Sequence, residues 1–366
     1  MRSPFLTPKT AIMKKTFISF FALLLVAQIW AVDSSTSLQT YYATANGLSD
    51  NELRLALYDV IKGHTVVSYK QLGTLLQWSD TENADGIHVI DPYTNCTFTA
   101  SGALTWISSG AVGAGLNREH TVPQSWFNEG SPMVSDAFHI FPTDTKANNN
   151  RSSYLYGEFT GDSTAYSSNQ CAETGKLSKG TDNSIAPYTY NNQSYAPTET
   201  WSGKVYEPAD EYKGDIARGY FYMATRYANV CAGWSGGAFG NDNNGLDDYT
   251  AELMLKWHRL DPVSEKELIR NEVIYGNPLY NKSDKSQGNR NPFIDYPELV
   301  EYIWGDKKNV SVTLSALESL YANEGGTTDL ENISLEQHKT SKVLIGSQIY
   351  IVREGAVYTL TGSRVK

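Results

Sequence analysis

The stretch Asn117-Arg118-Glu119-His120-Thr121-Val122-Pro123-Gln124-Ser125-Trp126-Phe127 opens the densest polar cluster in the chain. It is followed by Ser135-Asp136-Ala137-Phe138-His139 and by Pro142-Thr143-Asp144-Thr145-Lys146-Ala147-Asn148-Asn149-Asn150-Arg151. These residue types match what phosphodiester hydrolysis requires. A base must take a proton from water near neutral pH, and histidine does so. A hard divalent cation must offset charge on the phosphate, and Mg²⁺ prefers oxygen ligands while keeping several waters, so one carboxylate and one amide suffice. A guanidinium can clamp the phosphate through paired donors. His120, Glu119, Asn148 and an arginine complete that set.

The spacing adds a constraint. On extended backbone, adjacent side chains point to opposite sides, so Glu119 and His120 can flank one phosphate only where a strand bends or ends. Pro123 and the Gly113/Gly115 flank predict an irregular strand end there.

Outward from this segment the chain reads as mixed helix and strand. Ser49-Asp50-Asn51-Glu52 has the form of a capping box with Leu48 and Leu53 as its staple. Leu53, Ala56, Leu57, Val60 and Ile61 then fall on one helical face, which Gly63 ends. Further helices are expected over Asp215–Tyr227 and near Ala251–Arg259, with short β-like pieces between Asp91 and Gly115. Residues 160–205 are rich in Ser, Thr, Asn and Tyr and read as a long surface excursion. After Trp304 the composition shifts. Residues 306–340 read as a linker, and 341–366 as a small all-β module with alternating runs at Lys342–Ile345, Gln348–Arg353 and Ala356–Leu360.

Composition bounds the function. The 366 residues carry 40% apolar and 19% charged residues, which excludes a wholly disordered chain. Lys14 and Lys15 precede an apolar run from Phe17 to Val26 that ends near Ala31, the form of an export signal over residues 1–31. Residues 1–12 read as an upstream start ahead of Met13. The run is too short to span a bilayer, which needs about 20 apolar residues, so no integral membrane segment is expected in the mature chain. The formal charge is −10. Loss of the leader removes Arg2, Lys9, Lys14 and Lys15 and no acid, leaving 26 bases against 40 acids. Nucleic acid cannot then be held by bulk positive charge. A local patch is expected from Lys146, Arg151, Lys213, Arg218, Arg226, Arg259 and Arg290. Cys96, Cys171 and Cys231 allow one bridge and leave one thiol.

The Asn117–Phe127 string resembles the signature of the bacterial endonuclease I family of secreted or periplasmic nucleases. The resemblance continues through Ser135–Pro142, Asp144–Gly157, Glu207–Arg218, Phe221–Tyr227, Trp257–Pro262 and Gln287–Asp295, and covers roughly residues 40–305. It implies a ββα-metal (His-Me finger) core inside a larger helix-rich α+β domain over residues 32–305. It assigns His120 as general base and Glu119 and Asn148 as ligands of one Mg²⁺, with Mn²⁺ or Ca²⁺ as alternatives. The arginine beside the scissile phosphate is not fixed, and Arg118 and Arg151 are its candidates; Lys146, Asn149 and Arg290 are expected to bind substrate. The chain departs from the common Asp-Leu-His-His-Leu form at Phe138, where a structural role is expected. Residues 342–362 are similar to the C-terminal sorting domain of type IX secretion in Bacteroidetes, which implies engagement of secretion machinery and release or attachment at the cell surface.

The expected activity is therefore metal-dependent, sequence-independent endonucleolytic cleavage of DNA, with RNA as a second substrate. Two alternatives stand beside it: a metal-dependent phosphodiesterase with another substrate, and an inactive binding protein on the same fold. His139 is read either as a packing residue or as an orienting group behind His120, and His64, His88, His258 and His338 as structural or exposed.

Overall fold

A computed structural model describes residues 38–241, 243–320, 341–345, 348–353 and 356–359. The leader over residues 1–31 and His338 lie outside them. The architecture is α+β, with small sheets set against a buried helical layer. Among the described residues no helix is long and apolar enough to cross a membrane.

The helical layer is built from α1 (Asp50–Ile61), α2 (Tyr69–Ser79), α4 (Lys213–Arg226), α5 (Asp248–Leu260) and α6 (Glu265–Tyr275); α3 (Thr145–Arg151) belongs to the site. Helix α4 is central, and every residue from Gly214 to Arg226 is buried. Gly214 permits this depth: a Cβ there would stand 2.0 Å from the carbonyl oxygen of Asp261, while its own N–H donates to the Asp261 carboxylate at 2.9 Å. Leu53, Leu57 and Ile61 of α1 are fully buried, as the apolar spacing requires.

The capping box ahead of α1 does not form. Ser49 is the N-cap residue, but its side chain caps no amide. Asp50 adopts a φ of +52°, which spoils a regular first turn, and its carboxylate accepts from Asn244 at 2.6 Å instead. A capping box is present at Ser264 and Glu267 of α6.

Strands β1 (His88–Val89) and β2 (Phe98–Thr99) pair antiparallel. Strands β3 (Leu116–His120) and β4 (Ile140–Asp144) pair antiparallel from Leu116↔Asp144 to His120↔Ile140, and β4 runs directly into α3. Residues 155–207, which take in the expected excursion, hold short pieces, the first and last of them buried: β5 (Leu155–Tyr156), β6 (Ser163–Thr164), β7 (Lys176–Ser178), β8 (Asp182–Ser184), β9 (Tyr188–Tyr190), β10 (Gln193–Tyr195), β11 (Thr200–Ser202) and β12 (Val205–Glu207). They form a sheet in the order β5-β12-β7-β6 and two hairpin-like pairs, β8 with β11 and β9 with β10. Runs of two or three residues are too short to show a period of two in sequence.

The segment after Trp304 is not all linker. Val312, Leu314 and Leu317 are buried in the main core, and Val312 exchanges backbone hydrogen bonds with Gly47 and Leu48 at 2.8 Å each. Beyond it, β13 (Ser341–Ile345), β14 (Gln348–Arg353) and β15 (Ala356–Thr359) form an antiparallel sheet.

Cys96 and Cys171 are joined by a disulfide across 75 residues, and Cys231 is a buried free thiol. The bridge ties the excursion to the segment ahead of β3. A loop of that length limits the unfolded chain by about 4 kcal/mol in the chain-entropy account. Reduction, or Cys96→Ser with Cys171→Ser, is expected to lower the free energy of unfolding by about that amount in denaturant titration. An unchanged midpoint would show that the bridge is not formed in the folded protein.

Candidate active site

The site is assembled by the β3–β4–α3 unit. Asp144 ends β4 and caps α3, accepting from the amides of Lys146 and Ala147 at 2.8 and 2.9 Å, and its other oxygen takes the Gly113 amide at 2.8 Å. Gly113 has a φ of +82°, so the glycine flagged beside β3 supplies a left-handed turn. Asp91 lies behind β4 and accepts from the hydroxyls of Thr143 and Thr94 and the amides of Tyr93 and Asp144. Burial pushes its carboxyl up to about 6 against those bonds.

Arg151, at the end of α3, holds the unit together. Its guanidinium donates to the carbonyls of His120 at 3.1 Å and Thr121 at 2.6 Å, and stands 3.3 Å from the Glu119 carboxylate. It is enclosed by Tyr156 and Tyr220. The guanidinium has no free face for a phosphate, so the expectation that Arg151 clamps substrate is corrected: it secures the backbone that carries His120 and pairs with Glu119.

Glu119 is 2% exposed. Tyr93 donates to it at 2.8 Å, and Tyr156 shares a short hydrogen bond with Tyr93. Burial pushes the carboxyl up to about 7, opposed chiefly by the Arg151 charge. A buried carboxylate with one cation beside it gains from a second.

His120, 6% exposed, ends β3, the strand end that the adjacent pair required. Its Nε2 lies 3.1 Å from the Val134 carbonyl. A carbonyl only accepts, so in the neutral ring Nε2 carries the proton and Nδ1 keeps the lone pair. Burial, reinforced by His139, pushes the ring down to about 3, against the pull of the Val134 and Arg118 carbonyls. His139 stands edge-on at 5.5 Å, fully buried, with its Nε2 on the Met133 carbonyl at 2.8 Å. It is part of the wall behind His120. Phe138 packs on Tyr222 at 4.5 Å, in line with the structural role expected of it.

Arg118 shares a face of β3 with His120. Its guanidinium stacks over Trp106 at 4.2 Å and Tyr69 at 4.7 Å and makes no hydrogen bond to the described residues, with Nε buried and unpartnered. Tyr69, 39% exposed, also stacks on His120 at 6.0 Å with ring planes 19° apart. Sequence reading missed Tyr69, Trp106, Tyr93 and Tyr156, since each is one of many aromatics and comes from a distant element.

The three asparagines of α3 separate cleanly. Asn150 donates to both Glu173 oxygens at 2.9 Å and is buried. Asn149 is exposed. Asn148 is half-buried, one turn before Arg151 and so on the helix face that meets Glu119, and its side chain makes no hydrogen bond to the described residues. Among the described residues no group of three or more His, Cys, Asp or Glu side chains could hold a metal ion. A carboxylate and an unpartnered amide on adjoining elements fit a hard cation that keeps most of its waters.

The expected basic patch is corrected as well. Arg290 is 5% exposed and spent on Asp295 and Glu272, at 2.8 and 2.6 Å, so it cannot contact substrate. Arg218 pairs with Glu267, Arg259 with Glu301, and Lys213 with Glu207 and Asp210. Lys146 is half-buried, its ammonium 4.1 Å from the Tyr166 ring centre. The long Gln287–Asp295 motif is structural: Gln287 accepts from the Ala137 amide at 2.6 Å and donates to Asp136 at 3.1 Å, bracing the segment that leads to His139.

These contacts rank the asparagines by stability. Asn150→Ala is expected to cost about 1–3 kcal/mol, because the buried Glu173 loses the amide that bonds both its oxygens and keeps only the Tyr206 hydroxyl and the Tyr166 amide. Asn148→Ala and Asn149→Ala should stay within about 0.5 kcal/mol of wild type. Equal losses at 148 and 150 in thermal unfolding would place the wrong asparagine in the interior.

The description of the endonuclease I family matches residues 49–298. An extracellular ribonuclease of Bacillus amyloliquefaciens is 33% identical over 277 residues, 75% of this chain and 81% of the relative. An extracellular ribonuclease of Bacillus subtilis is 31% identical over 269 residues, 72% and 78% of the two chains. On the extent of these matches, which take in β3, β4 and α3 together with the helices around them, the chain belongs to the endonuclease I family.

Proposed function

We propose that this protein is a secreted, divalent-metal-dependent endonuclease that hydrolyses phosphodiesters of RNA and DNA without sequence preference, on a ββα-metal unit formed by β3, β4 and α3. One observation carries the reading: His120 has its Nε2 held by the Val134 carbonyl, beside a buried carboxylate and a helix whose Asn148 amide has no partner among the described residues. The names of the two Bacillus relatives support ribonucleolytic activity and export.

Glu119 and Asn148 would hold Mg²⁺. Bound there, the ion would offset charge on the phosphate and the leaving oxygen. His120 accepts the proton of the attacking water at Nδ1, because Nε2 is already committed to Val134. Under Tyr69 the ring is desolvated and stays neutral. Arg118, pre-aligned between Trp106 and Tyr69, has its outer N–H groups available for a phosphate oxygen and replaces Arg151 in that role. Contacts of this kind go to the backbone of the nucleic acid and carry no sequence information. Lys146 and the exposed Asn149 remain on α3 as further contacts. An inactive binding protein would have no reason to keep Glu119, His120 and Asn148 in this arrangement.

The leader and the β13–β15 strands, whose runs resemble a sorting domain, support export and handling by secretion machinery. Mass spectrometry of the exported protein should then find Val32 at its N-terminus. A chain that keeps residues 1–31 would overturn the leader assignment.

The activity is tested with supercoiled plasmid and with single-stranded RNA. Cleavage is expected with Mg²⁺ and not with excess EDTA. His120→Ala should lose about 10²–10⁴-fold in rate while remaining folded. Asn148→Ala should lose activity and require more metal, with its melting temperature unchanged. Absence of cleavage under every divalent ion would leave the binding-protein reading in its place.

A further inference from the structure

A cavity of about 360 Å³ opens between the end of α1, the end of α4 and the Ser131–Met133 segment. That is within the range of ~300–1,000 Å³ seen for small-molecule sites. Its floor contains Arg226, only 8% exposed. Nε of Arg226 donates to His64 Nδ1 at 2.9 Å, and the guanidinium lies over the Tyr227 ring at 4.7 Å. Its two terminal nitrogens make no hydrogen bond to the described residues. Most other buried arginines here have a carboxylate at 3.3 Å or less: Arg151, Arg218, Arg259, Arg270 and Arg290. Arg226 has none. The carboxylate of Asp136, on the far side of Tyr227, is already taken by Tyr222, Tyr227 and Gln287. His64 supplies a lone pair and no negative charge.

Lys62 stands at the rim over Tyr58, tied only to the exposed Asp59. Such an exposed pair is weak and yields readily to a better anion. The cavity therefore presents one buried and one rim cation beside the Tyr58 ring, while Tyr227, 2% exposed, lies beneath Arg226. Its third wall, Pro132 and Met133, leads into the segment whose carbonyls hold the catalytic wall: Met133 receives His139 and Val134 receives His120.

We propose that this cavity is a second nucleotide subsite, in which Arg226 and Lys62 bind a phosphate group and Tyr58 flanks its sugar or base. It rests on the nuclease reading for the identity of the ligand, not for its charge. A buried guanidinium whose terminal nitrogens bond none of the described residues is suited to a phosphate, and an aromatic ring beside it accepts any base. The phosphate belongs either to a strand whose cut bond lies elsewhere or to a released mononucleotide.

The full chain is titrated calorimetrically in EDTA, where no cleavage occurs, with three probes: inorganic phosphate, a nucleoside 5′-monophosphate, and a short 5′-phosphorylated oligonucleotide. The nucleotide probes are expected to bind more tightly than inorganic phosphate. Arg226→Gln and, separately, the surface variant Lys62→Glu should each weaken that binding about tenfold or more. Tighter binding of the oligonucleotide assigns the subsite to a bound strand, and equal binding of the monophosphate assigns it to product. Nucleotide binding that is indifferent to both Arg226→Gln and Lys62→Glu, or no binding at all, overturns the proposal. Because the titration requires no turnover, its failure is separate from failure of the plasmid and RNA cleavage assays.

Discussion

The tie between Arg151 and the end of β3 is the constraint on which the site depends. One guanidinium, fully enclosed, reaches the carbonyls of His120 and Thr121 and the carboxylate of Glu119. It fixes where β3 stops, and so where His120 leaves the sheet. It also fixes how α3 lies against the strand, which sets Asn148 one turn away on the same face. Taking either charge out of water is costly, and only mutual attraction with full hydrogen bonding repays it. The repayment here is incomplete: Nε of Arg151 has no partner, and Glu119 titrates near neutrality. A carboxylate left short of positive charge in a closed tyrosine cage is a poor structural element. It is a reasonable one if another cation completes the site.

The same trade appears at His120. Packing it under Tyr69 and beside His139 disfavours the imidazolium, and the Val134 carbonyl holds Nε2. A general base must be unprotonated and aimed. Burial supplies the first property and the carbonyl the second, at the cost of access. Tyr69 is the exposed member of the stack and covers the His120 ring.

Much of this was legible in the sequence and some was not, for identifiable reasons. The α1 face showed in the spacing of Leu53, Leu57 and Ile61, because a helix repeats over several turns. The strand end at His120 was legible because a carboxylate and a base in adjacent positions cannot otherwise serve one substrate. The capping box at Ser49 failed because its pattern is local, while the Asp50 conformation is set with Asn244, almost two hundred residues away in sequence. The roles of the arginines failed for a related reason. Arg151 and Arg290 sit in motifs beside the chemistry, and nothing in a motif says whether a guanidinium faces substrate or a buried carboxylate. The tyrosines around Glu119 were invisible because burial selects them one at a time from distant segments.

The arginine pairing bears on how an acidic protein can act on a polyanion. Four of the arginines expected to form a basic cleft instead neutralise Glu119, Glu267, Glu301 and Asp295 inside the fold. The surface is then no less acidic than the net charge implies, and long-range attraction to nucleic acid is absent. Under the proposed reading, association would rest on short-range contacts from Arg118 and Lys146, on the Arg226 and Lys62 cavity, and on a divalent ion that Glu119 and Asn148 would hold. A divalent cation is suited to this arrangement because it brings charge only when it binds. The folded protein need not store a cluster of like charges around its own active site, where their mutual repulsion and desolvation would work against packing His120 and Glu119 so deeply.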